Sequence, residues 1–326
     1  MNSMKEPTPK KTAEYVAYRN QVEEINRLIK EDPASFVDAA EADYQTNIES
    51  IAAEIAAENP ACRLVMIAGP SSSGKTTTAH MLKKALEKAG VGCESVSLDD
   101  FYLGADIAPL LPNGERDYEA LEALDVPEIQ KCLYELVKNN RCDMPVFDFE
   151  HHVPFPYRRH IELKDREVAV VEGIHALNPK LISLLPEYRV HRIYISVKQG
   201  VYSNEGNILG PNDVRLVRRL VRDYHFRGTE PQTTLSMWPN VMRGEYQYIK
   251  PFRKDANTTI NSFHDYELNV LAKPALQLLS TVPPESPEYP TAVRLKKVLS
   301  YFEPLSPEFV PESSMIREFI GGGNME

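Results

Sequence analysis

The sequence predicts an α/β fold, a mostly parallel sheet flanked by helices, with a helical extension at the N-terminus and a helical tail at the C-terminus. Three observations predict it. Short apolar runs without alternation, as strands buried on both faces require, are followed by stretches of helical spacing. The first of these runs enters a glycine-rich turn directly before a helix. Helical patterns also precede that run and follow a proline-rich connector near the end.

In chain order, residues 1–11 are polar with two prolines, the composition of a disordered start. Helices are expected at about Ala13 to Lys30 and Pro33 to Glu58, the second with Ile48, Ile51, Ala52 and Ile55 at helical spacing. Such a pair has little core of its own and should dock on the next domain. Arg63 to Ala68 reads as a doubly buried strand, followed by a helix from Lys75 to Ala89. The alternation continues with a strand near Glu94 to Leu98, a helix at Val126 to Asn139, a strand at Glu167 to Glu172, a helix at Pro179 to Leu185 and a strand at His191 to Val197. Helices at Asp213 to Phe226 and Pro231 to Tyr248, a strand at Thr258 to Asn261 and a helix at Tyr266 to Leu279 complete the central unit. Beyond Val282 the stretch PPESPEYP is a connector, with a helix at Thr291 to Phe302 after it. The expected division is an N-terminal helical extension (1–60), a central domain (61–282) and a C-terminal helical extension packing on it (283–326).

Composition narrows the function classes. The chain has 326 residues, 42% of them hydrophobic, enough for one large α/β domain with appendages. A formal net charge of -10 argues against a surface built for nucleic acid or anionic lipid. No stretch approaches the roughly 18 apolar residues of a membrane span, and MNSMKEPTPKK lacks a signal-peptide core, so a cytoplasmic location is expected. The four cysteines form no CxxC pair and read as free thiols.

The chemistry begins at Gly69-Pro-Ser-Ser-Ser-Gly74-Lys75-Thr76, which fits GxxxxGK[ST] between a strand and a helix. Gly69 and Gly74 let the backbone curl with its N–H groups inward, and the helix N-terminus adds partial positive charge. A P-loop NTPase fold binding ATP and Mg²⁺ is therefore expected. Gly69, Ser71, Ser72, Ser73, Gly74, Lys75, Thr76 and the following Thr77 are its candidate nucleotide contacts, with Lys75 on the outer phosphates and Thr76 on the metal.

Asp99 and Asp100 end a strand at the sheet edge where ligands bind, and either is a candidate base; the alternative is a helix cap or loop acid. Glu172 closes another apolar strand and suits Mg²⁺ or its water shell, against the alternative of an acid paired with a basic neighbour. Arg215, Arg218, Arg219 and Arg222 stand three or four apart and share a helical face, with Arg227 after them. That face could neutralise a transferred phosphoryl group or simply be solvated. In Met144 to His152, MPVFDFEHH, Phe147 and Phe149 share one side if extended and could stack a planar base, although core packing is the commoner use. His151 and His152 have no third ligand at zinc spacing.

Taken together, GPSSSGKTTT, SLDDFY, DYEALEALD, MPVFDFEHH, VVEGIHALNP, RLVRRLVRDYHFRG, WPNVMRGE and SMIREFIGG resemble the uridine kinase and phosphoribulokinase family, especially its bacterial uridine kinase-like branch, over roughly residues 61–322. The resemblance implies that Asp99 is the base toward a ribose 5′-hydroxyl and that Tyr102 is the tyrosine of the same motif. It implies that Glu119 stands where an aspartate holds ribose hydroxyls. Phe147, Phe149 and His152 match base-recognising positions, Arg219, Arg222 and Arg227 match lid and ribose-binding arginines, and Glu172 matches the acid of the EGI segment. Two departures touch the substrate: Phe147 replaces a tyrosine, and Met237 stands where a base-contacting glutamine is found. The implied activity is an ATP-dependent small-molecule kinase acting on the 5′-hydroxyl of a nucleoside of uridine or cytidine type. The alternatives are a kinase of the same family acting on a sugar-like or polyol metabolite and an ATP-binding regulatory protein. A homo-oligomer is expected on the same resemblance.

Overall fold

A computed structural model describes residues 20–58, 62–104, 106–112, 114–148, 151–185, 189–204 and 206–324. The expected polar start, residues 13–19 of the expected first helix and Phe149 lie outside the described residues, and within them that helix begins only at Val22, after the extended Gln21. The N-terminal region provides α1 (Val22–Glu31) and α2 (Pro33–Glu58). Then come β1 (Cys62–Ala68), α3 (Lys75–Lys88), β2 (Cys93–Ser97), α4 (Val126–Asn139), β3 (Arg141–Met144), β4 (Phe147–Asp148), β5 (Val153–Pro154), β6 (Arg159–Glu162), β7 (Val168–Glu172) and β8 (Arg189–Ser196). After them lie β9 (Val201–Ser203), β10 (Gly206–Leu209), α5 (Pro211–Arg227), α6 (Pro231–Gly244), β11 (Thr258–Asn261), α7 (Glu267–Leu279), α8 (Tyr289–Leu299) and the short α9 (Arg317–Ile320).

The main sheet has the order β11-β8-β1-β7-β2, and every pairing in it is parallel. Its strands lack alternation because both faces are covered. In β1, Cys62, Val65 and Ile67 enter one apolar cluster while Leu64, Met66 and Ala68 enter another. The first cluster also takes Ile48, Ile51 and Ile55 of α2, side chains of α3, α5, α7 and α8, and Met315, Ile316 and Phe319 of the tail. Both terminal extensions thus complete the same core as the central strand, as expected of helices with little core of their own. The second cluster lies under α4 and the segment around Phe101, Leu121 and Leu124.

Register sets the site. Glu172 at the end of β7 pairs with Ile67 of β1 and with Ser97 of β2, so three strands finish level at one edge. The loop after β1, the turn after β2 and Glu172 itself meet there.

The structure departs from the sequence expectation in three places. The expected helix at Pro179 to Leu185 is only a 3₁₀ turn, Pro179–Ile182. Asn178 caps it by accepting from the Lys180 N–H at 3.1 Å, while the Gln130 amide donates to the Lys180 carbonyl at 2.7 Å and to Ser183 Oγ at 3.0 Å. The Lys180 carbonyl thus has a partner outside the turn. The helix expected to reach Tyr248 stops as α-helix at Gly244 and continues as a π turn, Glu245–Ile249. There Glu245 is drawn inward to ion pairs with Arg215 and, at 3.3 Å, Lys250. Three small antiparallel ribbons, β3 with β6, β4 with β5 and β9 with β10, had no sequence expectation. Their strands are two to four residues long, too short for a period to register.

No described helix is long and apolar enough to cross a membrane. Phe319 is fully buried, with the Arg218 guanidinium over its ring at 4.9 Å. Phe319→Ala should therefore lower stability by roughly 3–5 kcal/mol, read as a shift of the urea midpoint at unchanged m-value.

Candidate active site

The loop between β1 and α3 is pressed against the sheet. A Cβ at Gly69 would stand 2.2 Å from the Ile195 carbonyl oxygen, which leaves no room for any other residue. Ser72 and Gly74 take left-handed backbone angles, φ of 59° and 82°, and turn the loop into the first turn of α3. The buried hydroxyls of Ser72 and Ser73 have no partner among the described residues, and the Lys75 ammonium donates only to the Pro70 carbonyl at 3.4 Å. A cradle of unengaged donors with a cation beside it fits an anionic ligand.

The arginine face divides in two. Arg215 and Arg218 are fully buried and line neither of the two cavities at this edge. Arg215 donates to the Ser71 carbonyl at 3.1 Å and pairs with Glu245; Arg218 donates to the Ser72 carbonyl at 3.3 Å and grips Glu267 at 3.0 and 2.5 Å. These two do not belong to a charge-neutralising face: they hold the Ser71 and Ser72 carbonyls of the loop from behind. Arg219, Arg222 and Arg227 instead reach the cavity, gathered by Asp223 at 3.0, 2.7 and 3.7 Å, and Arg219 also donates to Ser71 Oγ at 2.9 Å.

Two cavities meet at the sheet edge. The narrower, about 570 Å³, is walled by Ser71, Ser72, Lys75, Thr76 and Thr77 on one side and by Glu119 and Arg222 on another. The wider, about 1190 Å³, is walled by Phe147, His152, Tyr118 and Met237. Asp99, Thr76, His80, Tyr102, Glu172, Arg219, Phe226 and Arg227 border both. The two adjacent aspartates therefore differ. Asp99 touches both cavities, whereas Asp100 borders only the wider one and accepts the Phe147 N–H at 3.3 Å, tying β4 to the turn after β2. Tyr102 donates to the Tyr118 carbonyl at 3.1 Å, and its ring lies 5.7 Å from that of Phe147.

The acids at the junction are held out of their ordinary range. Burial pushes the Asp99 carboxyl up, with Lys75, Arg227 and Arg222 opposing. Burial and then the Asp99 charge push Glu172 up to about 7, against Lys75 and the Ser97 hydroxyl that donates to it at 2.8 Å. Burial raises Glu119 to about 7 against Arg219 and Lys75. Burial, more than any shortage of cations, raises these three carboxyls, and a set of buried carboxylates beside the Thr76 hydroxyl fits an added divalent cation. Among the described residues no group of three His, Cys, Asp or Glu side chains could hold a metal alone. An ion here would need the Thr76 hydroxyl and ligand oxygens as well as Glu172.

Several residues of the cavities had no sequence expectation. Arg159 borders the wider one and donates to the Ser95 carbonyl at 3.0 Å. Glu312, Ser314, Arg317, Glu318 and Gly323 of the tail border the narrower one, and Thr77 Oγ1 donates to Glu318 at 2.9 Å. The segment SMIREFIGG was recognisable as a motif, but its spacing carried no chemistry.

The model of the Phosphoribulokinase / Uridine kinase family matches residues 64–269, from within β1 into α7. The chain belongs to this family. Members of the phosphoribulokinase and uridine kinase family are ATP-dependent phosphotransferases acting on hydroxyl groups. The uridine kinase of Saccharomyces cerevisiae is 28% identical over 205 residues, 62% of this chain and 37% of that protein. The uridine kinase of Lactobacillus johnsonii is 26% identical over 222 residues, 67% of this chain and 96% of that protein. The chain thus spans little more than a third of the yeast relative and nearly all of the bacterial one. Among solved structures, one described as a fructose transport system kinase from Silicibacter sp. TM1040 superposes with a TM-score of 0.50 at 22% identity, over 65% of this chain and 98% of that one, which speaks for the fold.

The raised acids set a pH dependence. A carboxyl whose folded pKa is about 7 against an ordinary 4.5 binds its proton more tightly in the folded state, so its contribution is complete below about 4.5 and is lost as pH rises through 7. Without nucleotide, stability should fall across that window. Glu172→Gln should flatten the decline in urea midpoints measured from pH 4.5 to 7.5, and an unchanged slope would mean that Glu172 does not hold the proton.

Proposed function

We propose that this chain is an ATP- and Mg²⁺-dependent kinase that phosphorylates the 5′-hydroxyl of a nucleoside. The observation that carries the reading is Asp99 bordering both cavities, between the cation of Lys75 and the aromatic wall of Phe147 and Tyr102. The triphosphate lies in the narrow cavity, its outer phosphates on Lys75 and the loop N–H groups. The acceptor lies in the wide one. Asp99 orients the acceptor hydroxyl and takes its proton as the oxygen bonds to the γ-phosphorus; the bond from that phosphorus to the β–γ bridging oxygen breaks, and ADP leaves. Burial suits Asp99 to this, since a carboxylate held above its usual pKa is a better base. Lys75, Arg219 and Arg222 stabilise the charge on the transferring group. The Thr76 hydroxyl and Glu172 would hold magnesium, which when bound would supply charge neutralisation for the phosphates.

In the acceptor cavity Tyr102 and Phe147 suit a planar base and Arg219 and Arg227 suit sugar hydroxyls, while Glu119 borders only the narrower cavity and would meet the sugar at the junction of the two. His152 borders the same space on an exposed turn with φ of 56°. One observation favours a second reading, a sugar-like or polyol acceptor. Phe147 offers no hydroxyl to a base edge, and Met237, 42% exposed, offers no donor. A site that lacks polar partners discriminates weakly between bases.

ATP turnover across a panel of nucleosides and polyols, with products identified by mass, separates the two readings. Asp99→Asn should cut turnover of the accepted substrate by at least ~100-fold while leaving ATP affinity nearly unchanged. A smaller loss would remove Asp99 as the base.

A further inference from the structure

Residues outside the matched family segment supply part of the donor site. We propose that the tail segment 314–323, together with Phe226, forms the subsite for the base and ribose of the donor nucleotide. This rests on the kinase reading above.

Direction gives the first argument. A triphosphate with its outer end at Asp99 and Lys75 must send its nucleoside end away from the acceptor cavity. On that side of the loop Thr77 turns its hydroxyl at 2.9 Å, and its N–H at 3.5 Å, to one oxygen of Glu318, Oε2. Glu318 is thereby fixed beside the first turn of α3, and its second oxygen, without a hydrogen bond among the described residues, can accept from a ribose hydroxyl.

The tail is a built wall. Met315, Ile316 and Phe319 are fully buried, and Met315 lies so close to Gly74 that a Cβ there would meet its Sδ at 2.4 Å. Arg317 ties the segment to itself, donating to the carbonyls of Gly321 and Pro307 at 3.0 Å, of Pro311 at 3.3 Å, and of Val310. Ser314 donates to Glu41 of α2 at 2.6 Å.

Phe226 supplies the apolar surface. It is 51% exposed and borders both cavities, so it can serve the narrow one from the side where the tail lies. Its edge lies against the tail, where a Cβ at Gly321 would come within 2.9 Å of Cζ. An aromatic face and a carboxylate fixed beside the first turn of α3 are the pairing that a base and its ribose require.

The test compares ATP with inorganic tripolyphosphate, which shares the phosphates and lacks the nucleoside, by direct binding to the full chain and to Phe226→Ala and Glu318→Ala. Each variant should lose roughly 10-fold or more of its preference for ATP over tripolyphosphate, with tripolyphosphate affinity and acceptor KM nearly unchanged. Parallel loss of both ligands would mean that the tail only props the loop, and unchanged ATP affinity would put the base elsewhere; either overturns the proposal. A rise confined to acceptor KM in Phe226→Ala overturns it too, by assigning the ring to the acceptor. An unmodified protein that binds neither ligand ends the kinase reading together with the subsite, whereas ATP binding without turnover of any acceptor ends only the former.

Discussion

Arg218 is the contact on which most of the site depends. From the middle of α5 its guanidinium reaches the Ser72 carbonyl of the phosphate loop, the Ser262 carbonyl after β11, the carboxylate of Glu267 at the start of α7 and the ring of Phe319 in the tail. A fully buried cation is tolerated only when paired and hydrogen-bonded on every side, and here the required partners come from separate parts of the chain. The geometry of the loop, the seating of α7 and the position of the tail are therefore one constraint. Arg215 repeats the device with Ser71 and Glu245, and the π turn after α6 lies where Glu245 makes that pair.

With the Ser71 and Ser72 carbonyls tied from behind, the buried Ser72 and Ser73 hydroxyls are left without a partner among the described residues, and the acids around the cavity are buried. Asp99, Glu119 and Glu172 are all lifted by burial, with Lys75 among the charges opposing each. A metal–triphosphate complex would bring cationic charge to the buried carboxylates and anionic charge to the loop.

Much of this was legible in the sequence, and the boundary follows the physics. Strands buried on both faces are read from unbroken apolar runs, so β1, β2, β7, β8 and β11 were located to within two residues. The loop motif carried its own chemistry, and Asp99, Glu172, Arg219, Arg222 and Arg227 do border the cavities. Helical spacing, however, says which arginines share a face and nothing about what lies opposite, so the burial of Arg215 and Arg218 against Glu245 and Glu267 could not be seen. Nor could the choice between Asp99 and Asp100 be made from position, since it turns on the Phe147 N–H that Asp100 accepts 47 residues away. The tail was hidden for the same reason: its contribution consists of contacts rather than pattern.

The bond between Thr77 and Glu318 joins residues 241 apart. During synthesis the phosphate loop and the strand before it emerge early, while the segment that covers Gly74 and occupies Phe319's place in the core emerges almost last among the described residues. Until then the apolar faces awaiting Met315 and Phe319 stay open, and the nascent chain must be kept from closing on a wrong partner. The core and the wall of the narrow cavity are thus completed by the same few residues.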